Sequence, residues 1–166
     1  EIRNCDWSSD VCSSDLHLKS RIDVFSEASQ WLNPLWVKDV SITQEALAEL
    51  GLDMEVMANA LQYLIWRLES VSAWTRETIE AEIRWVADSL GLKLKDVMPL
   101  VFMVLSGTRQ AISAFDLAVL LGPDRTRARV RAGLEAVGGV SKKGLKRLEK
   151  SYQEALRPID TEGDAN

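Results

Sequence analysis

Gly107 is followed closely by Thr108, Arg109, Gln110 and Ser113. Hydroxyl, guanidinium and amide donors beside a helix-ending glycine can bond the edges of unpaired bases, and a guanidinium plane can stack on them. Arg109 brings the one guanidinium of this group; the bland reading is a solvated loop arginine. Further along, Arg125, Arg127, Arg129 and Arg131 alternate, and Lys142, Lys146 and Lys150 recur every fourth position with Lys143 and Arg147 beside them. Lysine and arginine hold phosphate backbones. At 100° per residue the four arginines divide into two faces, 125/129 and 127/131, so they cannot all follow one phosphate track. Arg127, Lys142 and Lys146 are the cations assigned to such a contact. For the lysines a solvated helix face is the alternative.

Signs of covalent or metal chemistry are missing by comparison. His17 is the only histidine, and Cys5 and Cys12 are the only cysteines. The two cysteines could bridge or bind metal, but they have no partners for a four-ligand site. There is no Ser-His-Asp or Cys-His set and no glycine-rich phosphate loop after a strand. No catalytic residue and no metal site is assigned.

The chain has 166 residues, 46% of them hydrophobic and 27% charged, with a net charge of −5. That composition is globular. The mean conceals an asymmetry: residues 122–157 hold ten bases and four acids, +6, whereas residues 17–121 hold nine bases and fourteen acids, −5. A general nucleic-acid binder is disfavoured by the total, but a local basic patch suffices to recognise an anion. No run approaches the roughly 18 apolar residues of a membrane span, and no secretory signal is visible. A cytoplasmic protein without membrane contact is expected.

Helices must position these residues, because apolar residues recur at helical spacing almost throughout. Leu18, Ile22, Phe25, Ala28 and Leu32 mark a helix over 17–32, ended by Pro34. A short helix follows, capped by Ser41 or Thr43 and stopped by Gly51. Asp53 can cap the next, with Val56, Ala60, Leu64 and Leu68 as its stripe. Thr75 opens a helix burying Ile79, Ile83, Val86 and Leu90. Asp96 is the expected cap of a helix whose residues 97–105 are apolar on every side and should be buried all round, with Pro99 in the first turn. Ser113 caps "SAFDLAVLLG", Pro123 starts another helix, and a last amphipathic helix turns Leu145, Leu148, Tyr152 and Leu156 inward. This is an all-α bundle of about eight helices in two small subdomains, 17–73 and 74–157, with a waist near 70–75 and an acidic tail, 158–166. Trp31, Trp36, Trp66, Trp74 and Trp85 are read as packing residues, with base stacking as the alternative.

Residues 1–16, "EIRNCDWSSDVCSSDL", have neither helical period nor strand alternation and repeat Ser-Ser-Asp at 8–10 and 13–15. They resemble the conceptual translation of a sequencing-adapter read-through and are set aside; a disordered linker is the alternative.

The series "WTRETIEAEIRWVADSLGLKLKDVMPLVFMVLSG…FDLAVLLGPDRTRARVRAGL" resembles the anticodon-binding domain of bacterial glutamyl-tRNA synthetases. "LKSRIDVFSEASQWL" is similar to the helix that opens the same region, and "GGVSKKGLKRLEKSY" to a C-terminal extension of some members. The resemblance covers roughly residues 18–135. It implies a class I synthetase fold for the region and a monomer that grips the anticodon stem-loop of tRNA(Glu), with Arg109 the residue expected to stack on or pair with an anticodon base. It also implies a separate N-terminal catalytic domain in cis, which would use ATP and Mg and is missing from this fragment. The synthetase motifs of His-Ile-Gly-His and Lys-Met-Ser-Lys-Ser type are absent here, and "VSKKG" (140–144) opens a helix beyond the domain. The family's Pro-Leu-Arg, whose arginine helps read a base, has Phe102 or Val101 in the arginine's place. Arg129 matches a family position and is read as a structural ion-pairing residue. The competing reading is a stand-alone helical interaction module whose basic last helix binds an acidic protein.

Overall fold

The computed structural model describes residues 32–37, 40–108 and 112–157. All regular structure among them is helical: residues 32–36, then α1 (Gln44–Ala48), α2 (Met54–Ser70), α3 (Arg76–Ser89), α4 (Leu94–Ser106), α5 (Ala114–Ala136) and α6 (Lys142–Ala155). The expected all-α bundle therefore forms. The helix expected at 17–32 lies outside the described residues except for its last position, as do residues 1–16 and 158–166. The seven other expected helices are present, two of them joined in α5. There Gly122 takes φ 75° and ψ 171° between two helical halves, with Pro123 opening the second. Residues 32–36 are helical, so Pro34 does not force the expected break. The helical bond from Val37 N–H to the Asn33 carbonyl, 3.2 Å, spans the proline intact.

Several boundaries follow from side-chain caps. Thr43, not Ser41, caps α1 by accepting from the Ala46 N–H, and Thr75 caps α3 by accepting from the Thr78 N–H. Ser141 caps α6 through the Gly144 N–H at 3.1 Å. The start of α4 differs from expectation. It begins at Leu94 with extended Lys93 as its cap, because the Lys93 carbonyl already accepts from Asp96 N–H at 2.9 Å. Asp96 then sits in the first turn, where its charge complements the helix dipole. Pro99 moves inside the helix, where one backbone bond is lost.

Buried side chains from Leu47 in α1 to Tyr152 in α6 form one cluster, with Leu47 to Leu68 on one side of residues 70–75 and Ile79 to Tyr152 on the other. Helix α2 supplies eight of its buried residues, Met57 through Leu68. The second half of α5 approaches α4 closely at Gly133, where a Cβ would lie 2.6 Å from Val104 Cγ2. Three burial expectations fail. Leu90, expected on the buried face of α3, follows the helix as its C-cap and is only half-buried. Helix α4 is not enclosed: Met98 and Phe102 are half-buried and Pro99 is exposed, because no described helix covers that face. On α6 only Leu148 and Tyr152 are buried, while Leu145 and Leu156 are 37% and 40% exposed, since the helix meets the body only along its middle turns.

Candidate nucleic-acid interface

The two arginine faces of α5 exist as the spacing requires, and each is engaged with another element. On one face, Arg125 Nη1 donates to the Leu35 carbonyl at 2.9 Å. Arg129, 4% exposed, donates from Nη2 to the carbonyls of Pro34 and Val37, each at 2.6 Å, and from Nη1 to the Leu105 carbonyl. On the other face, Arg127 donates to the Leu68 carbonyl from Nε at 3.0 Å and from Nη2 at 2.7 Å, and its guanidinium lies 5.5 Å from the centre of the Trp74 ring. Arg131 pairs with Glu69 at 2.6 Å. Leu68 and Leu105 lie in the last turns of α2 and α4, where carbonyls lack intrahelical partners. Charged donors suit those positions. Arg127 was assigned to RNA by its charge; the fold uses it to close the end of α2. Arg129 is a buried structural residue whose described partners are carbonyls.

The Gly107 turn forms as expected. Gly107 ends α4 at φ 70°, its N–H bonded to the Met103 carbonyl at 2.8 Å. A Cβ there would collide with the Val40 side chain, so the turn is seated on Val40 and Ser41. Ser106 Oγ lies 2.7 Å from the carbonyls of Phe102 and Thr108 and accepts from the Thr108 N–H at 3.2 Å. Thr108 is exposed, and Ser113 is half-buried at the start of α5 with no side-chain cap bond. Between them, Ile112 is 1% exposed and anchors the loop in the core. Arg109 and Gln110 lie outside the described residues.

A feature missed in the sequence adjoins this turn. Met98, Pro99, Phe102 and Met103 of α4, with Leu50, form the apolar walls of an open groove of about 520 Å³, rimmed by Lys95 and Glu49 and ending at Thr108. The available signal was the i, i+3, i+4, i+7 set of Lys95, Met98, Pro99 and Phe102, which places a lysine on one face with three apolar residues.

The lysines stand elsewhere. Lys142, Lys143, Lys146, Arg147 and Lys150 are all exposed, and none lines the groove. Lys150 lies 3.9 Å from Glu154; among the described residues the other four have no ion pair. Helix α6 is held by Tyr152, whose ring meets Tyr63 edge-on at 5.1 Å, Trp66 at 4.9 Å and Trp85 at 5.5 Å. Tyr63 also donates its hydroxyl to the Leu148 carbonyl at 3.4 Å. Burial, then the neighbouring Tyr152 and Glu154, push the Tyr63 hydroxyl above its ordinary pKa, so it remains a donor. Trp74 donates Nε1–H to the Ala118 carbonyl at 3.0 Å. Trp66, Trp74 and Trp85 thus serve packing, whereas Trp36 is 76% exposed; Trp31 lies outside the described residues.

No group of three or more His, Cys, Asp or Glu able to hold a metal ion occurs among the described residues. None of the described helices is long and apolar enough to cross a membrane.

A family model described as the anticodon binding domain matches residues 7–134, and so reaches into the N-terminal segment set aside above. The chain is 36% identical over 149 residues to a glutamate–tRNA ligase of Saccharophagus degradans, covering 90% of this chain and 29% of the relative. It is 37% identical over 136 residues to the glutamate–tRNA ligase of Marinobacter nauticus, covering 82% and 28%. It is 35% identical over 155 residues to that of Acinetobacter baumannii, covering 92% and 31%. The chain therefore spans less than a third of the length of these curated relatives.

Proposed function

The chain belongs to the anticodon-binding domain family, and from that premise we propose that it recognises the anticodon stem-loop of tRNA(Glu) as part of a glutamate–tRNA ligase. Charging of the tRNA with glutamate, and the ATP and Mg it needs, are proposed for the whole ligase, a cytoplasmic monomer with its catalytic domain in cis. No reaction step is placed on the residues described here. Their contribution is differential binding: correct bases fill complementary sites, and wrong ones leave polar groups unpaired.

The observation that carries this reading is the division of labour among the cations. The α5 arginines are spent on carbonyls and on two acids, Glu69 and Asp124, within the fold. The exposed cations of α6 remain for a phosphate backbone, with Lys142 and Lys146 proposed as contacts. Base reading is proposed for Thr108, Arg109, Gln110 and Ser113 around the turn. The test is fluorescence anisotropy of this chain with a tRNA(Glu) anticodon stem-loop and with the same stem carrying a scrambled loop, across a salt series. The expected result is salt-sensitive binding with preference for the native loop. Equal binding to both loops, or none to either, would refute it.

A further inference from the structure

Helix α6 turns a row of cations outward and shows no ring there. Lys142, Lys146 and Lys150 recur at every fourth residue. Helical geometry sets neighbours in that row about 6 Å apart along the axis and about 40° apart around it. Leu148 and Tyr152 point the other way, into the body. Against five bases the helix carries two acids, Glu149 and Glu154, and Glu154 lies 3.9 Å from Lys150. Its one aromatic side chain, Tyr152, is buried against Tyr63, Trp66 and Trp85. We infer that this row lies along one strand of the paired stem of the RNA, with one lysine at each of three successive phosphates. This rests on the anticodon-recognition reading above.

The buried ring decides between stem and loop. Unpaired strands are held by cations together with aromatic faces on which the bases stack. Paired RNA keeps its bases stacked inside and is held through phosphates and 2′-hydroxyls. Helix α6 offers cations alone. The lysine step of about 6 Å also matches the separation of neighbouring phosphates on one strand, a regular repeat that the scattered carboxylates of an acidic protein do not keep. The α5 arginines cannot serve instead, since their guanidiniums are committed within the fold. Nor can the groove beside Trp85, where Glu77, Glu80 and Asp88 would repel a phosphate chain. The root of α6 is tied to the turn proposed to read bases. Gly107 is seated on Val40 and Ser41, and Gln44 donates from Nε2 to the carbonyl of Ala136, the last residue of α5, at 3.5 Å. The 40–44 segment therefore connects the loop reader to the point from which α6 departs.

The experiment uses this chain and tRNA(Glu) anticodon stem-loops in which a single uncharged methylphosphonate linkage is moved along both stem strands and the loop, read by fluorescence anisotropy. Lys142→Ala, Lys146→Ala and Lys150→Ala, alone and combined, and Glu154→Gln are compared with the wild type after thermal melting has been checked. Wild-type binding should weaken by about two- to fivefold at each of three consecutive stem linkages on one strand. Each lysine variant should lose the sensitivity at one of them. The combined variant should lower the salt slope by about 2 to 3 and keep its preference for the native loop over a scrambled one. Glu154→Gln, which frees Lys150, should tighten binding by about twofold. Sensitive linkages confined to the loop, or unchanged in the combined variant, would overturn the inference while leaving anticodon recognition standing. A combined variant that binds RNA like the wild type but loses affinity for polyglutamate would assign α6 to an acidic protein and overturn it too. Absence of any RNA binding would sink both readings.

Discussion

Arg129 and Pro34 are 95 residues apart in sequence, yet the guanidinium Nη2 lies 2.6 Å from the Pro34 carbonyl oxygen. The same buried group also serves Val37 and Leu105, so one side chain ties the 32–37 segment to the end of α4. Arg129→Met leaves three carbonyls without this charged donor, and should lower stability by on the order of 3 kcal/mol or more. Arg129→Lys, with a single ammonium, should recover only part of it. Urea unfolding followed by circular dichroism checks both; a loss below about 1 kcal/mol in Arg129→Met would contradict the clamp.

Gly133 faces Val104 in the core. A methyl group at 133 would press on both Val104 methyls, at 2.6 and 2.8 Å. Gly133→Ala should therefore cost about 1–3 kcal/mol by overpacking, despite the better helix propensity of alanine. The double variant Gly133→Ala with Val104→Ala should recover part of that loss, giving a non-additive cycle in thermal melts. Additive losses would show that the two positions do not compete for space.

The cations should separate into two experimental classes. Lys142→Ala and Lys146→Ala should each reduce the slope of log affinity against log salt by about 0.7 to 1 and leave the melting temperature almost unchanged. Arg127→Ala should do the reverse: it loses the bonds to Leu68 and the contact with Trp74, costing roughly 2 kcal/mol, with the same salt slope. A changed slope in Arg127→Ala would return that residue to the RNA.

Helix α6 is the element most easily released, because only Leu148 and Tyr152 bury their side chains. Tyr152→Ala removes the edge contacts to Tyr63 and Trp85. Amide exchange within 142–155 should quicken by roughly tenfold or more, while α2 to α5 keep their protection. Uniform acceleration would mean that α6 unfolds only with the whole domain.

Local sequence was a good guide to the helices and their caps. Thr43, Thr75, Ser141 and Gly107 act at short range: a hydroxyl accepts an N–H three residues on, or a glycine takes a left-handed turn that other residues avoid. The start of α4 was harder to read. Asp96 is a good cap by type, but the Lys93 carbonyl had already begun the helix. Burial was less legible still. The pattern of 97–105 makes α4 apolar on all sides but does not say how many sides receive a neighbour, and Met98, Pro99 and Phe102 did not.

By itself the sequence determined that the described chain is helical, that its ordered motifs match an anticodon-binding family, and that α5 carries arginines on two opposed faces. Those properties follow from residue type and a fixed 3.6-residue period. Only the tertiary structure decided which cations are spent inside the molecule. Arg125 and Arg129 meet carbonyls some ninety residues away and Arg127 meets one 59 residues away, whereas Lys142, Lys143 and Lys146 of α6 are exposed. A guanidinium is buried where folding brings the unpaired carbonyls of another segment within reach, and that encounter has no local signature in the chain.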